Sequence, residues 1–228
     1  MSLYERLLAE TGAARRRFMA IPVLQRALHG SVSRNEYLAF LGQAYHHVRH
    51  TVPLLMACGQ HLPQRLDWLR DAMGEYIAEE TGHERWILDD IRATGGDADA
   101  ARDATPSPAT EVMVAYAYDM VTRRNPVGFL GMVFVLESTS AQLATLAAEV
   151  LQGCLRLPDE ALRYLTSHGT LDQDHIAFYR TLVDRLEEPG DQDTLIHSAN
   201  IFYGLYGAIF DSLPSSVPTA AEVATCAQ

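Results

Sequence analysis

A long apolar segment with an acidic residue near its middle constrains the fold of this chain more than any other feature. The segment extends from Pro126 to Leu151 and reads PVGFLGMVFVLESTSAQLATLAAEVL. Its uninterrupted apolar part, Val127 to Leu136, is too short to cross a bilayer and ends at Glu137. The helical periodicity therefore predicts a buried core helix, in which the carboxylate of Glu137 is costly unless a cation compensates its charge.

The rest of the chain shows helical periodicity interrupted by proline and glycine, with almost no strand signal. This pattern predicts one all-α domain over residues 1–213, built as a bundle of about seven helices, and a flexible tail over residues 214–228. A polar loop is expected at residues 95–108, which read GGDADAARDATPSP. The predicted helices are Leu3–Leu28 with an interruption at Ile21-Pro22, Ser33–Cys58 with a kink at Pro53, Pro63–Ala93, Pro108–Arg124, Pro126–Leu151, Pro158–Glu187 and Asp191–Leu213.

Composition excludes several classes of protein. The net charge of −11 argues against nucleic acid and against an anionic membrane surface as partners. All 18 basic residues are arginine, so Schiff-base chemistry on lysine is excluded. The three cysteines are scattered and odd in number, which favours reduced thiols, and the N-terminus shows no secretory signal. We therefore expect a cytoplasmic protein.

Two further segments place ionisable residues on the apolar faces of predicted helices. Glu80 and His83 lie within the apolar stripe of the third helix, whereas Glu79 should face solvent. On the sixth helix, His168, Asp172 and His175 share one face through spacings of four and three. With Glu137, the three segments supply three carboxylates and three imidazoles, which suit two ions of iron, manganese or zinc.

Each of these three groups of candidate ligands also has an ordinary structural interpretation without a metal. A buried histidine is usually hydrogen-bonded within the core, and the His168–His175 face can be a solvated surface. Glu137 can instead pair with a buried arginine such as Arg85 or Arg123. The joint occurrence on three helices is what favours metal, because few arginines are available to neutralise all three clusters.

A substrate pocket is expected beside these residues. His47 and Arg49 flank the apolar stripe of the second helix, and Arg49 could anchor a carboxylate, whereas His46 and His50 are expected on an exposed polar face. Tyr203 and Tyr206 form part of an aromatic stripe on the last helix, and their hydroxyls need partners. Such stripes are usually core, so a cavity-lining role for these two tyrosines is the alternative.

The ordered set Glu80, His83, Glu137, His168, Asp172 and His175 resembles the haem-oxygenase-like di-iron oxidases, relatives of the thiaminase II and pyrroloquinoline quinone synthase families. The resemblance extends over Leu3 to Leu213, and the His-x-x-x-Asp-x-x-His triplet is its most distinctive part. It implies a haem-oxygenase-like fold in which these six residues bind two iron ions, with manganese as an alternative metal. Some family members place the first carboxylate seven residues before the histidine, where this chain has Tyr76, so Glu80 is the only good candidate for that ligand. Tyr76 is expected to line the substrate pocket, and whether it replaces or supplements Glu80 at the metal is left open.

The resemblance further implies a dioxygen-dependent oxidase or oxygenase. Its substrate would be a small metabolite that bears a carboxylate or an amine, such as a fatty acid or an amino acid derivative. An external electron donor and a homodimer are compatible with this interpretation. The alternative is a metal-free enzyme or small-molecule binding protein of the same fold, similar to thiaminase II or to pyrroloquinoline quinone synthase.

Overall fold

The protein is all-α over the part of the chain that the computed structural model describes, which is residues 1–215 without the side chains of residues 168–174. These residues form eleven α-helices and three short 3-10 turns. The helices are α1 Leu3–Met19, α2 Pro22–Leu28, α3 Arg34–Val48, α4 Thr51–His61, α5 Asp67–Glu80, α6 His83–Ala93, α7 Ala98–Asp103, α8 Pro108–Arg123, α9 Phe129–Leu155, α10 Arg163–Val183 and α11 Pro189–Asp211. The prediction of an all-α bundle is confirmed, but the predicted number of helices is wrong.

Local sequence signals explain where most helices begin. Ser2 and Ser33 each accept a hydrogen bond from the backbone three residues later, where a glutamate bonds back to the serine N–H. These reciprocal bonds satisfy donors that a helix N-terminus otherwise leaves open. Ser107 caps α8 ahead of Pro108, and Pro189 occupies the first turn of α11.

Two of the predicted helices are divided by breaks. The second was expected to kink at Pro53, but it is interrupted between Val48 and Thr51. A proline inside a helix lacks an N–H and clashes with the carbonyl four residues earlier, which is that of Arg49, so the disruption falls before the proline. The third predicted helix breaks at Gly82, whose φ of +99° is available mainly to glycine. The predicted polar loop also contains the short helix α7, capped by Asp97.

Helix α9 lies at the centre of the fold, packed against α2, α10 and α11. Its crossing with α11 is unusually close at Gly131, where an added Cβ atom would lie 2.6 Å from the backbone nitrogen of Ala199. The hydroxyl of Ser198 donates a hydrogen bond to the carbonyl of Gly128 at the same crossing. The absence of a side chain at position 131 therefore fixes the spacing of the two helices that carry Glu137 and the C-terminal aromatic stripe.

The segment Pro126–Leu155 is long and apolar enough to cross a membrane, but most of it is buried inside the protein. A core helix of a helical bundle meets the same criteria, so this segment is no indication of a membrane protein. Cys58 is buried as a free thiol, which agrees with the expectation of reduced thiols at that position. The predicted domain boundary at residue 213 stays a prediction, because most of the predicted tail lies outside the described residues.

Candidate metal centre

Glu80 and His83 lie on either side of the helix break and face each other. Glu80 is the last residue of α5, His83 is the first residue of α6, and Gly82 between them has a left-handed conformation. The prediction that both belong to one continuous helix is therefore wrong. The turn nevertheless brings Nδ1 of His83 to 3.0 Å from Oε2 of Glu80, and both side chains are largely buried. The imidazole of His83 also stacks on the ring of Trp86, and this contact fixes the orientation of the imidazole.

A second carboxylate and imidazole meet between α9 and α10. Oε1 of Glu137 lies 3.9 Å from Nδ1 of His175, and both side chains are close to fully buried. The ring of Tyr76, from α5, packs edge-on against the imidazole of His175. Three helices thus converge on one region of the interior, as the apolar positions of these residues in the sequence predict.

Glu79 is part of this region although the sequence suggested that it faces solvent. Its Oε2 atom lies 2.9 Å from Nε2 of His175, while about half of its side chain remains exposed. On a straight helix Glu79 points well away from Glu80, and nothing in the sequence distinguishes it from other exposed acids. The proximity arises because the C-terminal turn of α5 borders α10, which is tertiary information.

The side chains of His168 and Asp172 lie outside the described part of the structure. Among the side chains that are described, no group of three or more His, Cys, Asp or Glu residues is arranged to hold a metal ion. The described groups instead form two pairs, Glu80 with His83 and Glu137 with His175. Their donor chemistry, one carboxylate and one imidazole in each pair, is that of iron and manganese sites.

The hydroxyl of Tyr76 is buried beside these pairs. The carboxylate of Glu137 lies close enough to this hydroxyl to be its hydrogen-bond partner. Burial raises the pKa of Tyr76, and the nearby negative charge of Glu137 raises it further. Tyr76 is therefore a neutral phenol in the protein, with a hydroxyl group oriented into the same interior region as the two carboxylate–imidazole pairs.

A cavity of about 80 Å³ adjoins the candidate site. Glu80, Glu137 and Tyr76 form part of its wall, together with His47 and Tyr206 from α3 and α11. The remaining described wall residues are mostly apolar, namely Val48, Thr51, Leu55, Phe129, Met132, Val133, Leu136, Ser140 and Tyr164. The site therefore combines a few polar groups with a largely apolar enclosure, as is usual for small-molecule sites.

Other residues predicted at the pocket occupy different places. Arg49 is exposed, with its guanidinium over the ring of Tyr45, and does not belong to this wall. Tyr203 is buried in the core, 3.4 Å from the hydroxyl of Ser138, also away from this wall. The prediction that His46 and His50 lie on an exposed polar face is wrong, because His46 is buried and His50 is bonded to the hydroxyl of Tyr118.

The arginines suggested as partners of Glu137 are engaged elsewhere. Arg85 is 79% exposed, and its nearest carboxylate is that of Glu84 at 3.6 Å. Arg123 donates to Asp119 at 2.6 Å on the surface of α8. Neutralisation of Glu137 by either arginine is therefore excluded.

Comparison with known proteins gives a family match and a fold match. A family model described as "Iron-containing redox enzyme" matches residues 38–207. No curated protein matches the sequence. A solved domain of unknown function with a heme oxygenase-like fold from Shewanella denitrificans is 22% identical and has a TM-score of 0.82, covering 93% of this chain and 92% of that chain.

Two other solved structures have similar folds at lower identity. A TenA homologue from P. horikoshii is 10% identical with a TM-score of 0.76, and 92% of this chain aligns with 97% of that chain. Heme oxygenase-1 from the cyanobacterium Synechocystis, solved in complex with heme, is 12% identical with a TM-score of 0.76, over 93% of this chain and 92% of that chain. At these identities the similarity establishes the fold alone.

Proposed function

The chain belongs to the family of iron-containing redox enzymes, and on that premise we propose that it is a non-haem di-iron oxidase or oxygenase that consumes dioxygen. Its substrate is a small metabolite that bears a carboxylate or an amine. The observation that carries the proposal is the pairing of a buried carboxylate with a buried imidazole at two places, Glu80 with His83 and Glu137 with His175. Such groups are costly inside a protein unless they bind cations or one another.

Six residues would hold the metal ions: Glu80, His83, Glu137, His168, Asp172 and His175. When bound, two iron ions would supply the activation of dioxygen, which side chains cannot perform. The protein's own contribution is orientation and the exclusion of water. The stacking of His83 on Trp86 and the contact of Tyr76 with His175 restrict both imidazoles to one orientation, which reduces the entropy lost on ligation.

The cavity beside these residues would receive the substrate. Tyr76, His47 and Tyr206 provide polar groups beside the glutamates, the rings of His47 and Tyr206 pack edge-on, and Thr51, Ser140 and Tyr164 add hydroxyls to the wall. These groups would orient the substrate by hydrogen bonds, while the apolar wall keeps bulk water from the reacting atoms. Arg49 is too exposed for this role, and Tyr203 lies outside the wall.

A metal-free activity of the thiaminase II type is the competing proposal. That chemistry requires a nucleophilic cysteine, and thiolate character is what makes a cysteine reactive. Cys58 is fully buried, and burial raises its pKa to about 12, so it is not a reactive thiolate. Haem oxygenase chemistry requires a proximal histidine on the first helix. The histidine nearest to that position in this chain, His29, is exposed and bonded to the carbonyl of Gln25, so haem binding is equally unsupported. The described residues therefore favour the di-iron proposal.

Metal content and oxygen consumption test the proposal. The metal-free full-length protein is titrated with iron(II) under anaerobic conditions, and we expect two equivalents to bind. Oxygen uptake by the loaded protein is then measured with an oxygen electrode. Glu137→Gln should reduce iron binding to one equivalent or fewer, whereas Glu149→Gln, an exposed acid on the same helix, should bind like the unchanged protein. Failure of the unchanged protein to bind iron or manganese would overturn the proposal.

We also propose that the enzyme acts in the cytoplasm on a soluble small molecule, with electrons from an external donor. Neither nucleic acid nor a membrane is expected as a partner, given the net charge of −11. A homodimer is compatible with the exposed apolar side chains Met56, Val112, Leu146 and Ile201, but these are scattered over several helices.

A further inference from the structure

We propose that Asp90 is a positioning residue for the candidate metal centre. It lies on α6, the helix that begins with His83, and it caps the N-terminus of α10, the helix that carries three of the six candidate ligands. Through this contact it fixes the two helices relative to each other independently of the metal. The inference rests on the proposed function for the role of the ligands, and it adds a residue outside the ligand set on which their arrangement depends.

Helix α10 has no N-terminal cap of its own. The side chain of Leu162 at the N-cap position accepts no hydrogen bond, and the first turn contains no acidic residue. By contrast, α1, α3, α7 and α8 are each capped by a serine or an aspartate that directly precedes the helix. The open backbone N–H groups at the start of α10 therefore need an acceptor from water or from another helix.

Asp90 supplies that acceptor. Its Oδ2 atom accepts a hydrogen bond from the backbone N–H of Tyr164 at 2.8 Å, and its carboxylate also lies near the backbone N–H of Arg163. Asp90 is completely buried, where a carboxylate is costly unless polar groups compensate it. Backbone N–H groups at a helix N-terminus provide such compensation, since they carry partial positive charge. The cap therefore accounts for an acid in the interior, and it joins residues that are 74 positions apart in the sequence.

A second contact joins the same turn of α10 to α6. The guanidinium of Arg163, the first residue of α10, lies 4.6 Å from the ring centre of Trp86. Trp86 in turn stacks on the imidazole of His83, with ring centres 4.0 Å apart. We refer to the contacts of Asp90 and Trp86 with the first two residues of α10 as the α6–α10 junction. The junction thus connects the start of α10 to His83 through side chains, as well as to α6 through the backbone.

The α6–α10 junction lies one helical turn from the candidate ligands. His168 follows Tyr164 by four residues, which is about one turn of α10. The ring of Tyr164 also belongs to the wall of the cavity beside Glu80 and Glu137. Helix termini open more readily than helix centres, so loss of the cap should free this turn and the ligand next to it. Ordering the turn again would then draw on the free energy of metal binding and lower the affinity.

Iron(II) affinity tests the positioning role. Measured by chelator competition on the full-length protein, Asp90→Ala should bind iron(II) about 3-fold to 30-fold more weakly, the range that corresponds to the loss of a helix cap. Asp90→Asn should bind like the unchanged protein, because asparagine also caps helices well. The matched control is Asp191→Ala, which removes a buried acid at the start of α11 that pairs with Arg65. This control should cost stability and leave iron(II) affinity unchanged, since α11 carries no candidate ligand.

Three outcomes in folded protein would overturn the inference. In the first, Asp90→Ala binds iron(II) as tightly as the unchanged protein. In the second, Asp90→Asn binds as weakly as Asp90→Ala, which would show that the bond to Tyr164 is not what holds α10. In the third, Asp191→Ala lowers the affinity as much as Asp90→Ala, which would show a general effect of lost stability.

Hydrogen exchange of the metal-free protein reports on the helix itself. Asp90→Ala should accelerate the exchange of backbone amides over residues 164–170 relative to those in the middle of α9, whereas Asp191→Ala should not. Acceleration that is uniform over all helices would show that Asp90 acts on global stability alone and would overturn the inference.

Arg163→Met tests the α6–α10 junction should Asp90→Ala fail to fold. Arg163 is exposed, so this variant removes the contact with Trp86 without disturbing the core. We expect iron(II) affinity to fall by about 2-fold to 5-fold, the range that corresponds to one cation–π contact at an exposed site. Arg185→Met is the control, because Arg185 lies over Trp68 at 4.1 Å just beyond the other end of α10. In that case equal affinities for the two variants would overturn the inference.

The two proposals fail separately. Unchanged iron binding in Asp90→Ala would overturn the positioning role and leave the redox function in place. If the unchanged protein binds neither iron nor manganese, the proposed function is overturned, and the exchange rates in α10 alone decide whether Asp90 holds that helix.

Discussion

Nε2 of His175 lies 2.9 Å from Oε2 of Glu79, although the two residues belong to different helices. The other ring nitrogen of His175, Nδ1, faces Glu137. A carboxylate at one imidazole nitrogen fixes the tautomer and orientation of the ring, so that the other nitrogen is presented to a cation. Glu79 is thus placed to position His175 while Glu137 lies on the side of the candidate metal.

Replacement of Glu79 should weaken metal binding without abolishing it. Outer partners of ligating histidines typically contribute about 10-fold to 100-fold to metal affinity. We therefore expect Glu79→Gln to lower iron(II) affinity within that range, measured by competition with a chelator of known affinity. Glu75→Gln, an exposed acid one turn earlier on α5, is the control and should leave affinity unchanged. Equal affinities for the Glu79 and Glu75 variants would remove Glu79 from the site.

Sequence reasoning identifies those residues of the site that are ionisable but lie on an otherwise apolar helix face. Glu137 is conspicuous because it interrupts a long apolar face, and His83 and His175 are conspicuous for the same reason; all three are buried. The fold class follows from periodicity and from the caps at Ser2, Ser33 and Ser107. These features are local, so a single sequence contains them.

The features that sequence reasoning missed depend on tertiary contacts. Glu79 is half-exposed, and only the packing of α5 against α10 brings it to His175. His46 is buried by tertiary packing that the apolar stripe of α3 does not reveal. Arg49 was placed near the pocket because it flanks that stripe, but the helix ends beside it and the side chain turns onto Tyr45. Glu79 and His46 lie in the last turn of a helix, and Arg49 directly follows one. At such positions the neighbouring helices, and not the periodicity of the helix itself, decide which side chains are buried.

Gly82 is expected to be required for the geometry of Glu80 and His83. Its φ of +99° is strained for any residue with a Cβ atom, so Gly82→Ala should cost about 1–2 kcal/mol of stability. The same substitution should also weaken iron(II) binding, because relief of the strain alters the turn between the two candidate ligands. Urea denaturation and the chelator competition measure the two effects.

Gly74 provides the matched control for Gly82 on the preceding helix. It lies inside α5 with open space around its Cα atom, so Gly74→Ala should stabilise the protein by roughly 0.5–1 kcal/mol. If Gly82→Ala is as stable as Gly74→Ala, the left-handed turn is not a constraint in solution.

Asp90 should make stability depend on pH. It is completely buried, accepts a hydrogen bond from the backbone N–H of Tyr164 at 2.8 Å, and burial raises its pKa from 3.8 to about 7. Between these values the folded protein keeps a proton that the unfolded chain has released. The contribution to stability is therefore fully present below about pH 4 and is lost as pH rises to about 7.

Asp90→Asn tests this dependence because the amide oxygen still accepts the Tyr164 bond but the side chain cannot ionise. Above pH 7 the variant should be more stable than the unchanged protein by at most about 4 kcal/mol, and near pH 4 the two should be similar. Urea denaturation from pH 4 to pH 8 measures the difference, with the exposed neighbour Asp89→Asn as the control. A constant difference across this range would contradict a raised pKa.

The crossing of α9 and α11 should be sensitive to a single methyl group. In Gly131→Ala the new Cβ atom would lie 2.6 Å from the backbone nitrogen of Ala199, so a helix must move and not merely a side chain. We expect a loss of about 1–3 kcal/mol, which in a protein of this size lowers Tm by about 2–4 °C per kcal/mol. Gly153→Ala on the same helix has open space and should raise Tm slightly. Because α9 carries Glu137, Gly131→Ala should also weaken iron(II) binding, and equal Tm values for the two variants would show that the helices cross less closely than described.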